Sequence, residues 1–422
     1  MQCQRKKEVI LMARKNVMQV KEKKDRYQVA YIPGDDSGFD VMEAAMIVMQ
    51  ALNPPIDWVR ADMGWCMWEK SCKEYPEGDP RRNTVPPETI EKVKNTDATL
   101  MAAITSKSGV KGFKSAILQL RQMFDLYINF RPAKLYPGIS TPLKGDPNID
   151  IVVFRENTED LYSAVEWRPL PKEMFDLHPG MERFKDKEEV AVSWRVFSKE
   201  GCDRIIRAAF EYAKANGLTS VVSCNKANVI RATCGLMKER FLEIAKEYPE
   251  IEAREENADA TAMWLLKNPE NYQVIVTSNV FGDILSDEAS QLIGGLGFSP
   301  SGNIGDNAAV FEPSHGSVPK YAHQYKINPC GLLITAAMML NYLQLGEYAE
   351  KLEKAIGDVL VEGKALTYDI WRDRGDKDWE TKAVSTLDMA KAIASKLDPD
   401  FDKKSDEICA KAKEMCAWEH LA

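Results

Sequence analysis

The sequence predicts an α/β fold on three observations. Short apolar runs, among them 29–32, 150–154, 220–224 and 274–277, recur along the chain. The stretches between them place apolar residues at helical spacing, as in 203–216, where Ile206, Ala209, Phe210 and Ala213 share one side. The first run breaks at Pro33-Gly34 and enters a helix through Gly34-Asp-Asp-Ser-Gly38, which is the opening of an α/β unit. That turn is no GxGxxG fingerprint, and Asp35 and Asp36 would repel a pyrophosphate, so a classical Rossmann fold is not expected.

Each later element has its own signal. The helix after Gly38 carries Val41, Ala44, Ala45, Val48 and Met49, and Pro86-Pro87 pre-sets a short helix whose acidic Glu88 suits the dipole. A strand at 98–102 leads into a loop rich in Ser, Lys and Gly (105–114) and a helix at 116–123. Residues 125–130 read as a strand that Arg131-Pro132 should end. After 150–154 the chain becomes charged and proline-rich, and 167–189 is expected as an excursion before 190–194 alternates like a strand. Helix 203–216 closes at Gly217, and strand 220–224 with helices 231–247 and 258–266 continues the alternation. The segment 294–329 is full of turn formers and is expected as a long loop that binds something or lacks order. Helices at 330–345, 350–361 and 385–397 follow.

Composition narrows the function classes. At 422 residues the chain can bury a large core and form two or three domains. A net charge of -8 argues against broad nucleic-acid binding, and the basic runs at Arg5-Lys-Lys and 21–26 are short. Nine irregularly spaced cysteines read as reduced thiols, which fits a cytoplasmic location. No apolar stretch approaches the roughly 20 residues that cross a bilayer, so no membrane association is expected. Glu8, Glu22 and Asp25 interrupt the basic N-terminus, which reads as an extension and not a targeting peptide.

The chemistry concentrates at Asn279-Val-Phe-Gly-Asp283-Ile-Leu-Ser-Asp287. A helix beginning near Gly282 would set Asp283 and Asp287 on one face, where they could hold a divalent cation. A solvated helix start would use the same letters, but other groups accompany this one. Asp259 opens a further helix, Arg121, Arg131 and Arg155 lie near strand ends, and Lys226 follows the run at 221–224. Hard oxygen ligands beside guanidiniums suit a small polyanionic substrate chelated to Mg2+ or Mn2+. No tight Cys/His cluster suggests zinc.

Three ordered motifs make the reading specific: Phe154-Arg-Glu-Asn-Thr-Glu-Asp-Leu-Tyr162, the segment 279–287, and Phe311-Glu-Pro-Ser-His-Gly-Ser-Val-Pro319. From about Tyr31 to Leu397 the chain resembles the β-decarboxylating dehydrogenases that act on isocitrate, homoisocitrate and 3-isopropylmalate, and most of all the NADP-dependent isocitrate enzymes. The resemblance implies the isopropylmalate dehydrogenase-like two-domain fold. An extension (1–27) would precede a large cofactor domain made of 28–126 and 294–422. A smaller substrate and dimer domain would comprise 127–159 and 199–293, with an intersubunit arm at 160–198. It also implies a homodimer with shared active sites.

By the same resemblance, Asp283 and Asp287 would hold Mg2+ or Mn2+ together with Asp259 of a second copy. Arg121, Arg131, Arg155 and Ser115 would bind substrate carboxylates. Lys226, also from the second copy, would assist deprotonation of the C2 hydroxyl, and Tyr162 would protonate C3 after decarboxylation. His315, Gly316 and Asn328 would surround adenine and ribose, while Lys320, Tyr321, Tyr368 and Arg372 would hold the 2′-phosphate of NADP. No acidic residue stands at 320 to favour NAD.

The pattern departs from the family at the substrate wall. Ser115 matches isocitrate-specific members, but Ile117 replaces their asparagine and matches homoisocitrate members. The family's lysine-bearing loop is replaced by Ala102-Ala-Ile-Thr-Ser-Lys107, so Lys107 or Lys111 would have to supply a cation. A basic residue expected near the 2′-phosphate is Asn268, beside Lys267. Isocitrate remains the expected substrate, with homoisocitrate as the alternative. A catalytically silent regulatory subunit would have lost metal or proton-transfer residues, and these are all present.

Overall fold

A computed structural model describes residues 19–418 except 21, 108 and 146, so the expected N-terminal extension lies largely outside the described residues. Strand β1 (Tyr27–Ile32) enters α1 (Ser37–Leu52) through Gly34, where φ is +85° and a Cβ would sit 2.2 Å from the Ala103 carbonyl oxygen. Only glycine fits there. β2 (Ile56–Arg60), α2 (Trp65–Glu74) and α3 (Pro87–Asn95) precede β3 (Ala98–Met101), α4 (Ala116–Met123), β4 (Ile128–Lys134) and β5 (Asp150–Glu156). The excursion contains β6 (Glu166–Trp167) and β7 (Val192–Ser193), which pair only with each other. Then come α5 (Lys199–Ala215), β8 (Ser220–Asn225), α6 (Thr233–Ala245), β9 (Glu252–Asn257), α7 (Ala258–Leu265), β10 (Val274–Thr277) and α8 (Asn279–Leu292). The remainder is β11 (Pro300–Ile304), β12 (Ala309–Pro313), α9 (Cys330–Tyr342), α10 (Gly346–Glu362), α11 (Tyr368–Asp373), α12 (Trp379–Lys382), α13 (Thr386–Leu397) and α14 (Phe401–Met415).

Ten strands form one mixed sheet in the order β2-β1-β3-β12-β11-β4-β5-β10-β8-β9. β11 and β4 at its centre run antiparallel to their neighbours, and the flanking strands pair in parallel. Because β5, β10, β8 and β9 are parallel, their C-terminal ends line one edge. Arg155, the start of α8, Lys226 and the start of α7 all emerge there, the place where open α/β sheets bind ligands.

Burial explains the helices on either side. Every residue of α1 except Gln50 is buried, because α1 lies under α9, α13 and α14. A second, smaller core of Ile32, Met63, Val93, Met101, Leu120 and Val310 fills the other face of β1, β3 and β12. The edge strand β9 is highly charged, as edges often are, and its sequence Glu-Ala-Arg-Glu-Glu-Asn carries little apolar signal. The eight described cysteines are free thiols, and no described helix is long and apolar enough to cross a membrane.

Four expectations need correction. The segment 294–329 is not a loop throughout: it supplies the β11–β12 hairpin in the middle of the sheet. β11 is fully buried although it reads Pro-Ser-Gly-Asn-Ile, since Ser301 and Asn303 hydrogen-bond to interior groups in place of apolar packing. Pro132 does not end its strand either, because β4 stays paired with β5 through Lys134 while pairing with β11 stops at Phe130. The missing N–H therefore falls where one neighbour has already left. That strand begins at Ile128, not Asp125, whose φ of 45° belongs to a turn. Finally, α8 begins at Asn279, a turn earlier than Gly282.

Candidate active site

Helix α8 starts directly after β10, and its second and third turns present Asp283 and Asp287 toward two arginines from the sheet. Arg155 on β5 is 1% exposed, yet each of its nitrogens has a partner: Nε and one Nη donate to Asn279 Oδ1 at 2.9 and 2.7 Å, and the other Nη pairs with Asp283, which leaves two of its five N–H donors for a ligand. Arg131 on β4 donates to Ser286 Oγ at 2.7 Å and to Asp287 at 3.2 Å, and lies 3.5 Å from Asp283. Gly282 makes this packing possible, since a Cβ there would lie 2.5 Å from Arg155 Cγ. Tyr162 donates its hydroxyl to the other oxygen of Asp283, and the Arg155 guanidinium lies 4.9 Å from its ring centre.

Arg121, at the end of α4, joins the same charge cluster from below. Its Nε donates to Asn303 Oδ1 at 2.9 Å, and an Nη reaches Glu312 at 3.2 Å. Asn303 Oδ1 also accepts from Asn129 and Asn157, so one amide of the β11–β12 hairpin ties together α4, β4 and the end of β5. Sequence reasoning missed Asn303, Glu312, Asn279 and Ser286. Asparagines inside a strand otherwise short of apolar residues were the available signal. Asp160 was missed as well; it is 1% exposed, accepts from Arg195 Nε and Nη2 and from Val280 N, and so fixes the Tyr162 segment to the start of α8.

Electrostatics follow from this crowding. Burial, together with the charges of Arg155 and Arg121, brings Arg131 down to about 10, which leaves it protonated at neutral pH. Burial alone would raise Asp283, but Arg155, the Tyr162 hydrogen bond and the other arginines hold it below the ordinary carboxylate range. Asp287 goes the other way: burial raises it, and Asp283 adds to the rise. As pH falls, Asp287 therefore protonates before Asp283, and cation binding by the pair should fail from that residue first. Tyr162 is raised by burial and by its bond to Asp283, so it keeps its proton at neutral pH.

Asp259 and Lys226 do not join this cluster within one chain. They pair with each other, Lys226 just past β8 and Asp259 in the first turn of α7, and the Asp259 side chain is 71% exposed. Among the described residues no three Asp, Glu, His or Cys groups gather as a metal cage. The donors that do gather, two hard carboxylates one helical turn apart, fit Mg2+ or Mn2+ and lack the nitrogen or sulfur that zinc favours.

The expected substrate wall is partly assembled. Ser115 precedes α4 and its hydroxyl lies 3.2 Å from that of Ser106. The lysines expected to reach in are occupied elsewhere: Lys107 lies over the Trp65 ring at 3.8 Å and Lys111 pairs with Glu77 at 2.8 Å. Ile117 packs against the smaller core.

The residues assigned to the cofactor do cluster. Tyr321 and Tyr368 meet edge to face at 5.9 Å, with Lys320 over the first ring at 4.8 Å and Arg372 over the second at 5.8 Å. Arg372 also lies 3.4 Å from Asp373. Asn328 is used at both ends: its Oδ1 accepts from Cys330 N at the start of α9, and its Nδ2 donates to Asp369 at 3.1 Å. It thereby fastens α11 to the loop. His315 Nδ1 lies 3.0 Å from the Gly316 carbonyl, while its Nε2 is buried without a hydrogen-bond partner. Burial lowers the His315 pKa, so a neutral ring with one unsatisfied nitrogen waits at this surface. The cluster of cations and phenols fits a phosphorylated nucleotide, and His315 offers one further nitrogen to a ligand.

A mixed sheet with buried guanidiniums and paired carboxylates along its C-terminal edge defines an α/β protein with a site suited to small polyanions. Residues 28–393 match the isocitrate/isopropylmalate dehydrogenase family model, and the chain belongs to that family. It is 38% identical over 371 residues to the 3-isopropylmalate dehydrogenase of Methanothermobacter thermautotrophicus, covering 88% of this chain and 98% of that one. It is 41% identical over 361 residues to the homoisocitrate dehydrogenase of Methanocaldococcus jannaschii, covering 83% and 95%. The solved isocitrate dehydrogenase of Methylococcus capsulatus superposes with a TM-score of 0.76 at 33% identity, covering 88% of this chain and 99% of that one. The protein is thus an oxidatively decarboxylating dehydrogenase with the expected α/β fold. Its relatives carry three different substrate names, so substrate choice turns on the residues of this chain.

Proposed function

We propose that the protein converts isocitrate to 2-oxoglutarate and CO2 while reducing NADP, using Mg2+ or Mn2+ in active sites shared between two copies of the chain. The observation that carries this is the grouping of three buried arginines with Asp283, Asp287 and Tyr162 at the sheet edge. A tricarboxylate needs several rigid guanidiniums, and buried forks supply them with little entropic cost.

Sharing is supported by what one chain leaves exposed. The Asp259 side chain is 71% exposed and pairs with the half-buried Lys226, and on the same and neighbouring segments Val229, Met263, Leu266 and Ile284 expose large apolar side chains, Val229 by 68% and Ile284 by 63%. An apolar patch beside ionic groups is the surface a second copy would cover.

Asp283 and Asp287, with Asp259 of a second copy, would hold a cation that supplies Lewis-acid polarisation when bound, and the Lys320, Tyr321, Tyr368 and Arg372 cluster would hold the nicotinamide cofactor that supplies the hydride acceptor. The side chains do the rest. Arg121, Arg131 and Arg155 would hold and orient the substrate carboxylates. Lys226 of the second copy takes the hydroxyl proton as the hydride departs. Once the C3 carboxylate has left as CO2, Tyr162 delivers its proton to C3 of the enolate, and its raised pKa keeps that proton available.

Isocitrate is favoured over homoisocitrate because Ser115 before α4 and Ser106 of the preceding loop offer two neighbouring hydroxyls, while Ile117 is already packed against the core. NADP is favoured by the Lys320, Tyr321, Tyr368 and Arg372 cluster. The test is a spectrophotometric panel of isocitrate, homoisocitrate and 3-isopropylmalate with NADP or NAD and Mg2+ or Mn2+. Isocitrate with NADP should give the highest kcat/KM, and a higher value for either other acid would reject the substrate assignment. Replacing Lys320 and Arg372 together by alanine should raise the KM for NADP about a hundredfold or more, as losing two charge-assisted contacts implies, and leave that for NAD within about threefold. Equal effects on both cofactors would reject the phosphate site.

A further inference from the structure

The family match stops at residue 393, but the chain continues through α14 to Trp418, and this last segment is built onto the loop assigned to the cofactor. That loop holds three non-glycine residues in the left-handed region: Val318 at φ 44°, His323 at 57° and Tyr325 at 50°. L-residues resist this conformation, a β-branched valine most of all, so outside contacts must impose it. Lys320 and Tyr321 lie between the strained positions.

The contacts come from two directions. From α1, Ser37 donates its N–H and hydroxyl to the Ser317 carbonyl at 3.1 and 2.5 Å. Asp40 accepts from Tyr325 N at 3.0 Å, and Glu43 accepts from the Tyr325 hydroxyl at 2.9 Å. From the C-terminus, the Trp418 indole stacks on His323 with ring centres 4.3 Å apart and planes 18° apart. His323 in turn stacks on Phe39 of α1 at 6.0 Å. Trp418 is delivered from a fixed base, because the Met415 carbonyl accepts from the Tyr31 hydroxyl at 3.1 Å and Arg60 Nη1 at 2.9 Å, and Cys416 is buried.

We infer that the C-terminal segment is a positioning clamp, in which Trp418 holds His323 and so sets where Lys320 and Tyr321 meet the cofactor phosphate. This rests on the reading of Lys320 and its neighbours as the 2′-phosphate site. Phe39, Asp40 and His323 belong to the frame of that site and touch no reacting atom.

The experiment measures NADPH binding by calorimetry on the full chain, with steady-state kinetics alongside. Trp418→Ala should weaken NADPH about fivefold, the scale of one lost aromatic stack, with kcat at saturating NADP and the KM for the hydroxy acid unchanged. Trp418→Phe should restore wild-type affinity, which a general loss of stability would not do. His323→Ala removes the same stack from the loop side and should match Trp418→Ala, so it tests the clamp even if the tryptophan variant misfolds. Lys320→Ala is the reference. If it weakens NADPH while Trp418→Ala and His323→Ala bind normally, the clamp is overturned and the phosphate site stands. If Lys320→Ala itself binds NADPH normally, the phosphate site fails and the clamp falls with it.

Discussion

Asp283→Asn is expected to lower kcat with Mn2+ by roughly a thousandfold or more, the scale of several kcal/mol of cation-assisted stabilisation, while the chain stays folded. Asp283 meets Arg155, Arg131 and Tyr162 together, so it would serve the proposed cation, the proposed substrate clamp and the proposed proton donor at once. Asparagine keeps an oxygen to accept from Arg155 and an amide of the same shape, but it removes the charge that draws a cation. The side chain is 37% exposed, so solvent softens the loss of the ion pair, and the melting temperature should fall by only about 1–2 °C for a chain of this size. Turnover and thermal denaturation on one preparation check both halves. Wild-type activity would remove Asp283 from the cation site, and loss of the folded state would show that its role is structural.

Lys226→Met carries the second large effect. An aliphatic side chain of similar length leaves the end of β8 intact but cannot take the C2 hydroxyl proton, and removing such a group typically costs 10²–10⁴ in rate. We expect a loss of about a thousandfold in kcat. The KM for NADP should move by less than about threefold. The substitution frees Asp259, but that carboxylate is exposed and its lowered pKa comes from Lys226 itself, so stability should change little. A rate within threefold of wild type would exclude Lys226 as the base.

How much of this was legible in the sequence depends on what kind of signal each part left. The parallel strands β5, β8 and β10 announced themselves, since strands covered on both faces need unbroken apolar runs. Asp283 and Asp287 were legible for a related reason: a four-residue spacing has a fixed meaning once a helix is granted. The β11–β12 hairpin was not, because β11 fills its interior places with serine, glycine and asparagine, and these are satisfied by side chains more than 140 positions away. Edge strand β9 hid behind its charges for the opposite reason, having little to bury. Arg121, Arg131 and Arg155 could be placed near strand ends, but Asn303 and Asp160 gained their positions only from tertiary contacts. Lys107 and Lys111 show the limit plainly, since a ring at 3.8 Å and a carboxylate at 2.8 Å claim the cations that the loop's composition offered to the substrate.

The most direct test of the central claim, one active site built from two chains, is complementation between two inactive variants. Asp283→Asn and Asp259→Asn are each expected to be inactive as pure dimers, since every site then lacks one carboxylate. Unfolded together and refolded, half of the dimers should be mixed, and each mixed dimer holds one site with both defects and one with neither. Activity should therefore return to about a quarter of the wild-type value. A mixture that stays inactive, although mixed dimers are shown to form, would contradict the shared site.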